Sequence, residues 1–120
     1  FTNYLPTGTA EVTYGYSDFI VTNRLGGTQA YQVLVAEGGS YADFTLSKVV
    51  EDKFTASKTD QRMIGSNWRS GGGPTTLPSV RTERFYVVKD AASNYYKVRF
   101  LAMSNEAGLR GNPTFHYAKL

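Results

Sequence analysis

Over residues 95–103 the chain alternates. Tyr96, Val98, Phe100 and Ala102 fall on one side of an extended backbone, and Tyr95, Lys97, Arg99, Leu101 and Met103 on the other. A period of two sustained over this length predicts a strand with one face in a core and the other toward water. Arg84-Phe85-Tyr86-Val87-Val88-Lys89 precedes it as a second strand. The intervening Asp90-Ala91-Ala92-Ser93-Asn94 is rich in turn formers, so the two are expected to pair antiparallel. Residues 114–120 add a last strand, with Phe115 and Tyr117 on one face and His116 on the other, after a long polar link over residues 104–113.

Upstream the same logic gives two more strands, Ser17-Asp18-Phe19-Ile20-Val21-Thr22-Asn23 and residues 29–36. In the second, Tyr31, Val33 and Val35 share a face, and Val33-Leu34-Val35-Ala36 is apolar on both, as in a central strand. Leu25-Gly26-Gly27-Thr28 between them is short enough for a hairpin. One segment breaks the β pattern. Ser40 with Asp43 three residues on resembles a capping box, and Tyr41, Ala42, Leu46, Val49 and Val50 then fall largely on one helical face. This predicts a helix over residues 41–52, the alternative being an irregular loop. Residues 55–83 are punctuated: Ser70-Gly71-Gly72-Gly73-Pro74 is a loop, and Leu77-Pro78-Ser79-Val80 leads into a strand. At the start, Phe1-Thr2-Asn3-Tyr4-Leu5 reads as the middle of a strand, Pro6-Thr7-Gly8-Thr9 as a turn, and residues 11–16 alternate weakly. A chain that begins inside a strand is expected to be a piece of something longer. The architecture expected is one all-β domain over residues 1–120, mostly antiparallel, with one short helix near 41–52.

Composition narrows the chemistry. There is no Cys, which removes disulfides, thiolate nucleophiles and thiolate-held zinc, iron–sulfur or haem sites. There is one His, so no multi-histidine metal site forms within the chain. The 13 Lys and Arg are scattered among 10 acidic residues, so the net charge of +3 marks no nucleic-acid surface and no nucleic acid is expected as a partner. No run of 18 apolar residues occurs, so no membrane-spanning helix is expected.

The remaining candidates each have a bland and a sharp reading. His116 is a ligand or an ordinary strand histidine. Gly71-Gly72-Gly73 lacks the strand–turn–helix context of a phosphate loop and is read as flexible. The carboxylates, from Asp18 to Glu106, are caps, turns and solvated faces unless two of them meet across a cleft, so an enzyme is the last reading. The aromatic and basic runs Tyr95-Tyr96-Lys97 and Arg84-Phe85-Tyr86 are a stacking platform or sheet packing with a snorkelling rim. Met63 and Met103 are packing residues or soft thioether ligands.

Several of these segments resemble the HmuY-like haemophore family. They are Ser17-Asp18-Phe19-Ile20-Val21-Thr22-Asn23 with Gly26-Gly27-Thr28, Ile64-Gly65-Ser66-Asn67-Trp68-Arg69, the pair of strands at 84–90 and 94–100, and Gly108-Leu109-Arg110-Gly111-Asn112-Pro113-Thr114-Phe115-His116-Tyr117. Their order carries the resemblance, which covers nearly the whole chain. It implies an all-β binding protein, not an enzyme, exported as a lipoprotein or secreted. Membrane attachment would come only through a lipid anchor outside this chain. The resemblance further implies capture of haem, or a related tetrapyrrole, from host haemoproteins and delivery to a TonB-dependent outer-membrane receptor. Met63, Tyr41, Trp68 and Arg69 are the cofactor-binding residues it implies, with Met63 as the metal ligand and Arg62, Arg69 or Arg84 as rim cations for propionates. One departure stands out. The type member uses two His ligands, whereas this chain has a single His in its terminal strand. A surface module of the same fold that binds a glycan or protein, and no haem, is the alternative.

Overall fold

Alternation sorts the side chains of four strands onto two faces of one antiparallel sheet. The computed structural model describes residues 2–3, 19–71 and 74–120, with the backbone alone at 2, 3 and 110. The expected turn at 6–9, the alternating run 11–16, residues 17 and 18 of the next strand and Gly72-Gly73 of the loop lie outside the described residues. Strands β1 (Thr2–Asn3) and β2 (Ile20–Val21) form a two-stranded ribbon. Strands β3 (Gln29–Leu34), β4 (Arg84–Lys89), β5 (Tyr95–Ser104) and β6 (Arg110–Lys119) form the main sheet in the order β3-β4-β5-β6, all antiparallel.

One face of this sheet carries Ala30, Tyr86, Val88, Val98 and Phe100, which pack with Ile20, Ile64, Trp68 and Met103. The other carries Tyr31, Val33, Phe85 and Val87, packed with Tyr41, Phe44 and Phe54. Trp68 is only 1% exposed and stacks on Phe100 at 4.4 Å between ring centroids. The Tyr41 and Phe44 rings meet Phe85 edge-on, at 5.5 and 5.1 Å, the geometry that aromatic quadrupoles favour. Segment 61–65 is tied to β2 by paired backbone bonds between Ile20 and Gly65, 2.9 and 2.8 Å, and by Thr22 N–H to the Gln61 carbonyl, 2.9 Å. Gly65 sits at φ +53, and a Cβ there would lie 3.0 Å from the Arg62 carbonyl oxygen. Only glycine closes this turn without strain.

Four expectations are corrected. The helix over 41–52 is absent. In its place are a turn at 41–43, a 3-10 turn at Leu46–Lys48 and a 3-10 helix at Glu51–Lys58, while a single α turn, α1 (Val35–Gly38), follows β3. Ser40 does bond Asp43, its Oγ accepting from the backbone N–H at 3.1 Å, but the bond closes a local turn rather than capping a helix. Thr45, Val49 and Val50 then take extended conformations, as β-branched residues favour. The hairpin expected between 17–23 and 29–36 does not form either. Asn23 caps a 3-10 turn at Arg24–Gly26 by accepting from Gly26 N–H, 3.0 Å, and β3, apolar on both sides, pairs with the fully buried β4 instead. Met103 lies on the core face, opposite to what strict alternation gives. Register shifts between Phe100, Ala102 and Ser104 bulge β5 and turn Met103 inward. Finally, the polar link of 104–113 shortens to a turn, because β5 runs to Ser104 and β6 begins at Arg110.

Two consequences follow for stability. Trp68→Ala removes the stacked indole from a sealed core and should cost about 3–5 kcal/mol, read as a lowered urea midpoint. A loss below about 1 kcal/mol would show that the Trp68–Phe100 stack does not hold the core. The second concerns the phenols. Burial pushes the Tyr31, Tyr41 and Tyr86 hydroxyls above the usual tyrosine range, Tyr86 furthest, with the Arg84 and Arg81 cations opposing it there. A native phenol that keeps its proton where the unfolded chain has released it contributes stability below pH about 10, and that stability is lost as pH rises further. Urea unfolding should therefore show stability falling above pH about 10, and Tyr86→Phe should flatten the decline. An unchanged decline in the variant would rule out Tyr86 as its source.

Candidate functional site

Two cavities adjoin the residues singled out by the sequence. The first opens beside β2. Phe19 and Val21, two residues apart and so on one side of the strand, wall it with Gln61 and Arg62 from the segment tied to β2. Its volume is 460 Å³. Two apolar side chains form its body and a guanidinium stands at its rim. Asp60 holds that guanidinium in a forked pair, Nε to Oδ1 at 2.9 Å and Nη2 to Oδ2 at 3.2 Å, which keeps the Asp60 carboxyl below the usual range. Met63 is the next residue. It is half-buried and packs on the core cluster that contains Trp68. Trp68 itself is committed to that core, and Arg69 is half-buried, its backbone bridging Val80 and its carbonyl accepting from Arg81 Nε at 3.2 Å.

The second cavity, of 260 Å³, opens beside Tyr41. The Tyr41 hydroxyl donates to the Lys97 carbonyl at 3.1 Å and lies 2.8 Å from His116 Nδ1. Lys97 returns the contact. Its ammonium donates to the carbonyls of Tyr41, Ala42 and Phe44 at 2.7, 3.2 and 3.0 Å, tying the 41–44 turn to β5. The Arg99 guanidinium lies 4.6 Å from the centre of the Tyr41 ring. Burial raises the Tyr41 phenol above its usual range and Arg99 opposes that shift, so the hydroxyl stays protonated and hydrogen-bonded at neutral pH.

The sheet therefore separates the residues that the sequence groups together. Met63 and Trp68 pack on one face of the sheet, where the Arg84 guanidinium also reaches Gln32; Tyr41 stands on the other. One iron centre cannot meet both Met63 and Tyr41, because β4 and β5 lie between them. Among the described residues, no three His, Cys, Asp or Glu side chains gather to hold a metal ion. Sequence reasoning missed Phe19 and Gln61 on the first side, and Ser40, Thr82, Arg99 and the Tyr41–His116 bond on the second. The partners of these pairs are far apart in the chain, 75 residues for Tyr41 and His116. No local pattern announces them; only the strand order does.

Comparison with known proteins agrees with this architecture. The family model described as HmuY protein matches residues 6–117. Among solved structures, the chain is similar to the apo HmuY analogue of Tannerella forsythia, with a TM-score of 0.53 at 17% identity, over 83% of this chain and 60% of that one. At this identity the likeness establishes the fold. The chain thus spans about three-fifths of the length of that analogue. No curated protein matches.

Proposed function

Since the chain belongs to the HmuY family, which is associated with haem binding, we propose that it binds haem or a related tetrapyrrole in the cavity beside β2, for iron or haem acquisition. One observation carries this reading: an apolar slot of 460 Å³ with Arg62 at its rim lies next to the segment that bears Met63. The volume falls within the range of about 300–1,000 Å³ usual for small-molecule sites. Phe19 and Val21 would contact the porphyrin face and Arg62 a propionate; Met63, which packs on the Trp68 cluster rather than lining the cavity, would turn outward to give its thioether to the iron. A neutral, soft ligand of this kind suits haem iron and favours its reduced state. Trp68 would act as a positioning residue, its stack on Phe100 fixing the wall on which segment 61–65 rests. Arg69 would serve the second propionate. Tyr41 belongs to the far side of the sheet and would take no part in this site.

The surrounding biology follows from the family reading. The protein would stand at the cell surface or outer membrane, or be secreted. It would take haem from host haemoproteins and hand it to a TonB-dependent outer-membrane receptor. Nothing in this role requires catalysis. Among the described residues no helix is long and apolar enough to cross a membrane, which is consistent with attachment through a lipid.

Haemin titration of the protein, with absorbance read in both redox states, tests the proposal. A saturating Soret shift is expected. Met63→Leu, which keeps the packing volume and removes the sulfur, should change the visible bands of the reduced form and weaken binding about tenfold. An unchanged spectrum in that variant would remove Met63 as a ligand. No Soret shift beyond that of an inert protein would sink tetrapyrrole capture and leave a surface module that binds a glycan or protein.

A further inference from the structure

The ladder between β4 and β5 is shorter than those on either side. Strands β3 and β4 pair as far as Leu34↔Arg84, and β5 and β6 as far as Ser104↔Arg110, but β4 and β5 stop at Tyr86↔Val98. Beyond that point the sheet opens, and the 260 Å³ cavity occupies the opening. Its walls come from three places: Val35, Ser40 and Tyr41 after β3, Thr82, Arg84 and Phe85 at the start of β4, and Arg99 and Leu101 of β5. Ladder alternation points the backbone amide and carbonyl of Arg84 and Phe100 toward the same opening.

The charge of the lining is one-sided. The Arg99 guanidinium and two aliphatic hydroxyls line it, and no carboxylate does. The Arg84 guanidinium leaves by the other face of β4, where Nε and Nη2 hold Glu83 Oε1 at 2.9 and 2.8 Å and Nη1 donates to Gln32 Oε1 at 2.9 Å. Ser40 is bonded to Asp43. Arg99 differs. Its guanidinium lies over the Tyr41 ring, 4.6 Å from the centroid, and no salt bridge to it is found among the described residues. The ammonium of Lys97 nearby is likewise held by carbonyl oxygens rather than by a carboxylate. The cavity thus presents one guanidinium without a carboxylate partner, held over the Tyr41 ring beside the apolar Val35, Phe85 and half-exposed Leu101.

We infer that this opening in the sheet is a binding site for a carboxylate carried on a compact apolar body, with Arg99 as its anchor and Thr82 as a second donor. A single cation without a carboxylate partner matches a monoanion, and a planar guanidinium matches a carboxylate in a two-pronged pair. The apolar residues beside it penalise a dianion such as phosphate, whose second charge finds no partner. The volume admits a body the size of one ring. The site is separate from the cavity beside β2 and stands independently of tetrapyrrole binding there. The carboxylate has three possible sources: a free small acid, a tetrapyrrole propionate or the terminus of a peptide.

Benzoate is the probe, with benzamide as its neutral isostere, followed by amide and side-chain NMR shifts of the whole protein. Benzoate should shift the Thr82 amide and the Arg99 Nε–H saturably, and added salt should weaken it; benzamide should not bind. Arg99→Gln should weaken benzoate about tenfold, the usual scale for one charge-assisted bond, and Arg99→Lys should restore part of the loss. An unshifted spectrum, equal binding of benzamide, or equal binding by Arg99→Gln would each overturn the inference. The unperturbed amides of the core strands in the same spectra check that the variants fold. Competition assigns the source. Displacement of benzoate by metal-free protoporphyrin but not its dimethyl ester identifies a propionate. Displacement by a peptide with a free terminus but not its amide identifies a peptide. Displacement by neither, with benzoate bound, identifies a free acid.

Discussion

Strand β4 is buried on both faces, and the rest of the structure is arranged around that fact. Phe85 and Val87 point into one cluster and Tyr86 and Val88 into the other. A slip of one residue would bring the charged Lys89 or Arg84 into one of the two clusters, so packing fixes the register of β4. Its neighbours inherit that register. β3 is placed by its pairing from Gln29↔Lys89 to Leu34↔Arg84, and β5 by Tyr86↔Val98 and the pairs that follow. Trp68 can stack on Phe100 only because β5 presents that ring on the same face as Tyr86.

Double burial also explains how one small sheet can carry two dissimilar cavities. Two of the openings form where the packing of these clusters runs out. One lies where β2 meets segment 61–65, and the other where β4 and β5 part. The first is apolar with its cation already paired to Asp60; the second carries the Arg99 cation and no carboxylate in its lining. Their chemistry differs because different loops reach them. The 61–65 segment rests on β2 through backbone bonds, whereas the 41–44 turn is held to β5 by side chains, the Lys97 ammonium and the Tyr41 hydroxyl.

β4 was legible as a short run of strand formers buried on both faces, and β5 by its alternation, which matches burial at Val98, Arg99 and Phe100. In β6 the alternation marks a strand but not a buried face, since Phe115 and Tyr117 are exposed. The all-β class and the family resemblance were legible for the same reason, since both rest on those segments. Legibility failed where a local motif had two outcomes of similar energy. Ser40 and Asp43 form the same hydrogen bond whether a helix follows or a turn closes, and the β-branched Thr45, Val49 and Val50 decide for the turn. Met103 was misplaced because a bulge breaks the count of two without leaving a glycine or proline to mark it. The candidate site was legible only in part. Met63 and the Arg62 beside it could be picked out as residue types, but their separation from Tyr41 by the thickness of a sheet is a property of strand order.

The early end of the β4–β5 ladder has a further consequence for motion. Past Val98, β5 and β6 continue as a two-stranded ribbon, joined to the body of the sheet mainly through the Phe100 and Met103 side chains. Such a ribbon can fray while β3, β4 and the near half of β5 stay intact. Amide hydrogens between residues 99 and 115 would then exchange with solvent through local opening, and those of Val87 and Val98 only through unfolding of the whole. Arg99 sits at the junction of these two regimes. Whatever occupies the opening beside it would be felt as slower exchange along the ribbon, far from the point of contact.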